Sequence, residues 1–288
     1  MINVLVTGGE GQLASNLKDI CDAYPPLNLI FKEYTELDVT NTSQVKSVFE
    51  STTFNYCINC AAYTAVDKAE DESEIAFKVN EQGSKNLAKF CSDNNVTLIH
   101  ISTDFVFEGN TSKAYTETDA TNPQGNYGLS KLKGELAIQQ SIKKYFIIRT
   151  SWLYSEHNKN FMKTMIQLSA SRDELRVVDD QIGTPTYAKD LAHIILKIID
   201  SKDEVYGIYN FSNEGVASWY DFANAIFQEI NSNIKLLPTK TKDFPTPAKR
   251  PSFSVLDKTK IKDTLGIEIP HWRASLKEAI INFKTKTV

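Results

Sequence analysis

Six residues of strand character, Ile2-Asn3-Val4-Leu5-Val6-Thr7, break at Gly8-Gly9-Glu10-Gly11-Gln12-Leu13-Ala14 and give way to a helical pattern from Ser15 to Cys21. A strand, a glycine turn and a helix in that order open a doubly wound sheet, because parallel strands need helical crossovers to return to the same edge. Glycines let the backbone approach a pyrophosphate, and unpaired N–H groups at the helix start attract the anion. Gly8 and Gly11 are therefore candidate cofactor contacts, and the small Ala14 lets the helix pack on its strand.

The same rhythm continues. Strands are predicted at Leu29–Phe31, Tyr56–Cys60, Val96–Ile101 and Phe146–Thr150, with helices near Ser43–Glu50, Glu72–Ser92 and Tyr127–Lys143 between them. This alternation predicts an α/β chain, a Rossmann-type doubly wound parallel sheet whose ligands lie beyond the carboxyl ends of the strands. After Thr150 the pattern loosens into short pieces: a helix near Asn160–Ser169, a strand at Arg176–Val178, the turn Gly183-Thr184-Pro185-Thr186, an amphipathic helix Tyr187–Ile199, a strand Ile208–Ser212, a helix Trp219–Ile230 and a last helix from Leu276 to Phe283. The expected division is a dinucleotide-binding domain over 1–150 and about 176–202, and a smaller C-terminal substrate-binding domain over 151–175 and 203–288.

Several side chains fall where such a sheet delivers chemistry. Glu33, after the second strand, suits a ribose hydroxyl, while the adjacent Lys32 suits a 2′-phosphate, so NADH and NADPH both fit. Asp38 is either an adenine-side ligand or a helix-entry acid. Ala61 and Ala62 leave room for a cofactor at the end of the third strand. Asn80 either supports a backbone group near the site or is an exposed helical residue. Ser102-Thr103-Asp104 offers hydroxyls at the end of the fourth strand, and Tyr127 and Lys131 share one helical face at i and i+4. A lysine ammonium about 4 Å from the phenol supplies roughly 4 kcal/mol at an effective dielectric of 20, enough to bring a tyrosine from about 10 to about 7. Arg250, in the proline-stiffened stretch Pro245–Pro251, has the fork that grips phosphate.

Net charge is −4 with no basic block, which argues against a nucleic-acid or anionic-membrane partner and for a small ligand. No run approaches the roughly 18 apolar residues of a membrane span, and the start of the chain lacks the pattern of a signal peptide. Cys57 and Cys60 have zinc or redox spacing, but three residues apart on a strand they point to opposite faces. With Cys21 and Cys91 they are too scattered for a disulfide scaffold, so reduced cytoplasm is the expected compartment. The four histidines show no ligand spacing.

Gly8 to Leu13, Ser102 to Phe107 and Tyr127 to Lys131, with Asn59 to Glu70, Arg149-Thr150-Ser151-Trp152-Leu153-Tyr154, Asp180 to Thr186 and Pro245 to Pro251, resemble the extended short-chain dehydrogenase/reductases, and within them the dTDP-4-dehydrorhamnose reductase family, nearly end to end. The resemblance implies NADPH- or NADH-dependent reduction of the C4 ketone of a dTDP-4-keto-6-deoxy sugar by a monomer or homodimer. It makes Tyr127 the proton donor, Lys131 the residue that bonds the nicotinamide ribose and lowers the tyrosine pKa, and Thr103 the group that polarises the carbonyl. Gly11, Gln12, Leu13, Asp38, Val39, Ala61, Ala62 and Tyr63 are implied cofactor contacts, and Phe105, Val106 and Trp152 the sugar site. Relatives that pair subunits through a cation carry acids where this chain has Asn16 and Lys189, so no metal is expected. Dehydratases of the same fold place Asp-Glu after the threonine; Asp104-Phe105 here favours simple reduction. A non-catalytic alternative is similar to the regulatory subunit of methionine adenosyltransferase, which has no need of an intact Thr, Tyr and Lys.

Overall fold

The computed structural model describes residues 1–201 and 204–287. Its first half contains β1 (Ile2–Thr7), α1 (Gln12–Ile20), β2 (Leu27–Lys32), α2 (Thr42–Ser51), β3 (Tyr56–Asn59), α3 (Ser73–Phe77), α4 (Ser84–Asp93), β4 (Thr97–Thr103), α5 (Asn126–Ser141) and β5 (Tyr145–Thr150). The second half contains β6 (Leu153–Tyr154), α6 (Phe161–Ser169), β7 (Glu174–Val178), β8 (Ile182–Gly183), β9 (Thr186–Tyr187), α7 (Ala188–Ser201), β10 (Gly207–Asn210), β11 (Ala217–Ser218), α8 (Trp219–Glu229), β12 (Lys235–Thr239), α9 (Thr259–Leu265) and α10 (Trp272–Thr287).

Six strands form one parallel sheet in the order β10-β5-β4-β3-β1-β2. Alternation along each strand divides the core. Val4, Val6, Ile58, Ile99, Phe146 and Ile148 face α1 and α7, whereas Leu5, Cys57, Leu98 and Ile147 face α2, α4 and α5. The strand order reverses between β1 and β3, so their carboxyl ends leave a crevice, the usual ligand position in an open α/β sheet. A third core joins Tyr154, Met162, Phe222, Ile226, Trp272 and Leu276 beside that crevice.

The structure moves the expected domain boundaries. β10, expected in the second domain, is an edge strand of the main sheet, paired in parallel with β5, and Ile261 of α9 packs into the same core. β7, expected with the first domain, pairs instead with β12, a strand the sequence reading missed because it is short and carries Pro238. The junction expected at 202–203 lies outside the described residues. The predicted helix Glu72–Ser92 is interrupted by a π-helical segment, Lys78–Gly83, and the last helix starts at Trp272 rather than Leu276. The interruption turns Asn80 inward. It is 1 % exposed, its Oδ1 accepts from Tyr63 N at 2.9 Å, and its Nδ2 donates to Tyr63 O at 3.1 Å and to Ser130 Oγ at 2.9 Å. Asn80 thus supports the backbone beside the crevice.

Candidate active site

The helix that begins after the glycine turn has an open amino end. Gly11 at its N-cap gives no side-chain cap, and the first turn carries no acid, so the first N–H groups are free for an anion. Gly8 has φ +64, and a Cβ there would lie 2.9 Å from Ala61 N, so only glycine lets β1 and β3 end this close together. One wall of this crevice is lined by Gly8, Gly11, Asp38, Val39, Ala61, Ala62 and Tyr63, with Tyr34, Leu37 and Val79 among the others. This cradle fits a dinucleotide pyrophosphate with an adenosine end.

Glu33 is not on that wall. It opens a turn in which Glu33 O accepts from Leu37 N at 2.9 Å and Glu33 N donates to Glu36 Oε2 at 3.1 Å, which carries its side chain away and brings Tyr34 forward. Lys32 is likewise engaged, its Nζ 2.9 Å from Glu36 Oε1. Tyr63 lends its OH to Glu72 Oε2 at 2.5 Å, and that bond holds its phenol up at about 12.

The crevice continues into a cleft of about 550 Å³ where Gln12 and Leu13 meet Thr103, Phe105, Tyr127, Lys131, Trp152 and Arg250. Helix α5 lies close to this floor because it lacks bulk at two points: a Cβ on Gly128 would lie 2.2 Å from Phe105 O, and one on Gly134 2.3 Å from Asn80 O. Its buried face is polar, with Ser130, Lys131 and Glu135 all inward. Glu135 receives Ser102 Oγ at 2.5 Å and the Arg149 guanidinium at 3.0 and 2.7 Å, tying α5 to β4 and β5.

Tyr127 and Thr103 converge. Burial pushes the Tyr127 phenol up to about 12, the nearby Thr103 hydroxyl acts in the opposite direction, and the Asp104 charge adds to the rise. Contrary to the sequence expectation, Lys131 does not figure among the causes that set the Tyr127 phenol; its Nζ donates to Ile101 O at 2.6 Å and lies 3.4 Å from His100 Nε2. Burial also brings Lys131 down to about 8. Asp104, 1 % exposed, is raised to about 6 by burial, and its Oδ1 accepts from Thr103 Oγ1 at 3.1 Å. Phe105 meets the Tyr127 ring edge-on at 5.6 Å.

Val106, expected in the sugar site, is fully buried with Phe107, Tyr115 and Leu256, because the 3-10 turn after Thr103 alternates its side chains between cleft and core. Arg250 reaches the cleft, yet its fork is held by Asp67 at 2.9 and 2.7 Å, with Ala248 O and Thr246 as further acceptors, so it is not the free phosphate grip the sequence suggested. Trp152 adopts φ +47 and stacks on Trp219 at 3.7 Å, with Phe161 behind. Trp219, Phe161, Lys159 and Asn160 also line the cleft, and no motif marked them.

Outside the residues that line the cleft, Asp19, Glu156 and His157 come within metal-ligand reach of one another. Lys286 Nζ lies 2.6 Å from Asp19 Oδ2 and 2.8 Å from His157 Nε2, so a lysine already meets that charge. Asn16 is buried, and Lys189 pairs with Glu278 at 2.7 Å.

A family model described as RmlD substrate binding domain matches residues 2–285. A dTDP-4-dehydrorhamnose reductase of Aggregatibacter actinomycetemcomitans is 42% identical over 287 residues, covering 96% of this chain and 98% of that protein. The chain belongs to this reductase family. Two solved structures agree across its length. The dTDP-4-dehydrorhamnose reductase of Clostridium acetobutylicum is 40% identical with a TM-score of 0.94, over 98% of this chain and 100% of that one. That of Bacillus anthracis, in complex with NADP, is 38% identical with a TM-score of 0.94 over the same shares. Family membership accounts for a Rossmann-type sheet with its tyrosine, lysine and threonine at one rim.

Proposed function

We propose that this chain reduces the C4 ketone of dTDP-4-dehydro-L-rhamnose to dTDP-L-rhamnose with NADPH or NADH, in the cytoplasm, as a monomer or homodimer. The observation that carries the reading is that Thr103, Tyr127 and Lys131 line one cleft at the sheet's carboxyl edge, with Tyr127 one helical turn from Lys131, beside an uncapped helix start. The name of the Aggregatibacter relative and the NADP complex of the Bacillus relative point the same way. No helix among the described residues is long and apolar enough to cross a membrane.

Bound reduced nicotinamide supplies the hydride. The chain's own residues supply the rest. Gly8, Gly11, Gln12 and Leu13 seat the pyrophosphate, and Asp38, Val39, Ala61, Ala62 and Tyr63 hold the adenosine side. Thr103 orients the ketone oxygen, and Tyr127 gives it a proton. A phenol of about 12 stays protonated at neutral pH, yet is more acidic than the alcohol being formed, so transfer to the developing alkoxide runs downhill. Lys131 holds a ribose hydroxyl with the N–H that Ile101 O does not take. Asp104 without a following glutamate leaves a single carboxylate by Thr103, which suits reduction and not loss of water.

Adding the 4-keto sugar nucleotide to protein and reduced nicotinamide is expected to consume the coenzyme and yield the 6-deoxy sugar nucleotide. No consumption with either coenzyme would leave a non-catalytic binding module as the better account. Trp152→Ala, which removes a stacked wall of the sugar side, is expected to raise the sugar KM about tenfold while the coenzyme KM stays within about twofold. Equal changes in both would place Trp152 outside the sugar site.

A further inference from the structure

The charges that line the cleft sort by what already holds them. Among the described residues, Lys131, Lys159 and Arg250 are the cations that line it, and Asp104 is the one carboxylate. Lys131 Nζ is given to Ile101 O at 2.6 Å, and the Arg250 fork to both oxygens of Asp67 at 2.9 and 2.7 Å. Lys159 is exposed, and it has neither a hydrogen bond nor an ion pair among the described residues.

The backbone that carries Lys159 separates it from an ordinary solvated lysine. Asn158, just before it, sits at φ +51, a left-handed position that asparagine tolerates, and its Nδ2 donates to Glu10 O at 2.6 Å. Asn160, just after it, donates from Nδ2 to Gln12 Oε1 at 3.0 Å, and Ser155 Oγ donates to the same oxygen at 3.2 Å. The loop is thereby tied to the glycine turn on both sides of the lysine. One residue further on, Phe161 meets Trp219 at 4.6 Å, and Trp219 stacks on Trp152. Lys159 therefore belongs to the segment that joins the coenzyme's pyrophosphate seat to the aromatic wall of the sugar side.

Two diphosphates have to be held here. The coenzyme's is met by the open start of α1, through backbone N–H groups. The sugar nucleotide's enters a space lined by Leu13, Phe161 and Trp219, where its negative charge needs a counter-charge. We infer that Lys159 binds the diphosphate of the sugar nucleotide, its ammonium acting as a point charge against the phosphate oxygens. The inference rests on the reaction proposed above and names how that reaction's nucleotide is recognised. Arg250 stays with Asp67.

Calorimetric titration of the coenzyme-free protein with dTDP tests this without turnover. Lys159→Met is expected to weaken dTDP binding about tenfold, the loss of one charge-assisted contact, and Lys159→Arg, which keeps the charge, to stay within about threefold of the wild type. NADH and NADPH affinities, read from coenzyme fluorescence, are expected to stay within about twofold in both variants. Added salt is expected to weaken dTDP binding more in the wild type than in Lys159→Met, which lacks the charge being screened. An unchanged dTDP affinity in Lys159→Met would overturn the inference. So would a fall in coenzyme affinity alone, which would assign the lysine to the other pyrophosphate, or equal falls in both, which would mark it as a support for the loop. If the protein turns over the 4-keto sugar nucleotide while its dTDP affinity ignores Lys159, the reaction stands and the inference fails. If dTDP binding depends on Lys159 as expected and no coenzyme is consumed, the inference stands and the reaction fails.

Discussion

Replacing Tyr127 with phenylalanine is expected to lower kcat by about 10²- to 10⁴-fold, the usual contribution of a positioned general acid, while coenzyme affinity stays within about threefold. The substitution removes only the hydroxyl. The ring keeps its edge contact with Phe105, and α5 keeps its seat on Gly128 and Gly134, so what is lost is the hydroxyl that shares the cleft with Thr103. Single-turnover reduction, with coenzyme binding measured separately by fluorescence, distinguishes the two quantities. Turnover within tenfold of the wild type would remove Tyr127 from the role of acid and shift attention to Asp104, whose carboxyl beside Thr103 is raised to about 6 by burial.

The second large effect is on stability. Arg149 and Glu135 are both nearly sealed from water, with side chains 3 % and 0 % exposed, and the guanidinium also lies 5.0 Å from the centre of the Phe107 ring. Arg149→Met leaves the Glu135 carboxylate buried with Ser102 as its remaining donor. The expected loss is about 3–5 kcal/mol, because desolvation of the orphaned charge is no longer offset. Pairing it with Glu135→Leu removes that charge and is expected to recover most of the loss. Urea unfolding at constant m checks both. A single variant within about 1 kcal/mol of the wild type would show that this pair does not hold α5 to the sheet.

The sheet was legible because its signals are local. Period-two alternation in Val4-Leu5-Val6 and Ile147-Ile148 sorts the two core faces, and the glycines after Thr7 announce the crevice. Tyr127 and Lys131 were legible as a helical pair, but the direction of the lysine was not. It depends on a carbonyl of β4 and on an imidazole that points inward only once β3 and β4 are in register. The acid after β2 is a similar case: across the Glu33 to Leu37 turn it is Tyr34, and not Glu33, that lines the crevice wall. Arg250 carries the right group, yet Asp67, far away in sequence, claims it. Trp219 was invisible as a site residue because nothing near it in the chain shows that Trp152, with its positive φ, will lie across it.

Reduced coenzyme deuterated at the transferring carbon, incubated with the protein and the 4-keto sugar nucleotide, tests the central claim most directly. The account predicts one deuterium at C4 of the 6-deoxy sugar product, and none when Tyr127→Phe replaces the wild type for the same brief time. Deuterium at any other carbon, or a reduced product without it, would contradict hydride delivery to the ketone beside Thr103 and Tyr127.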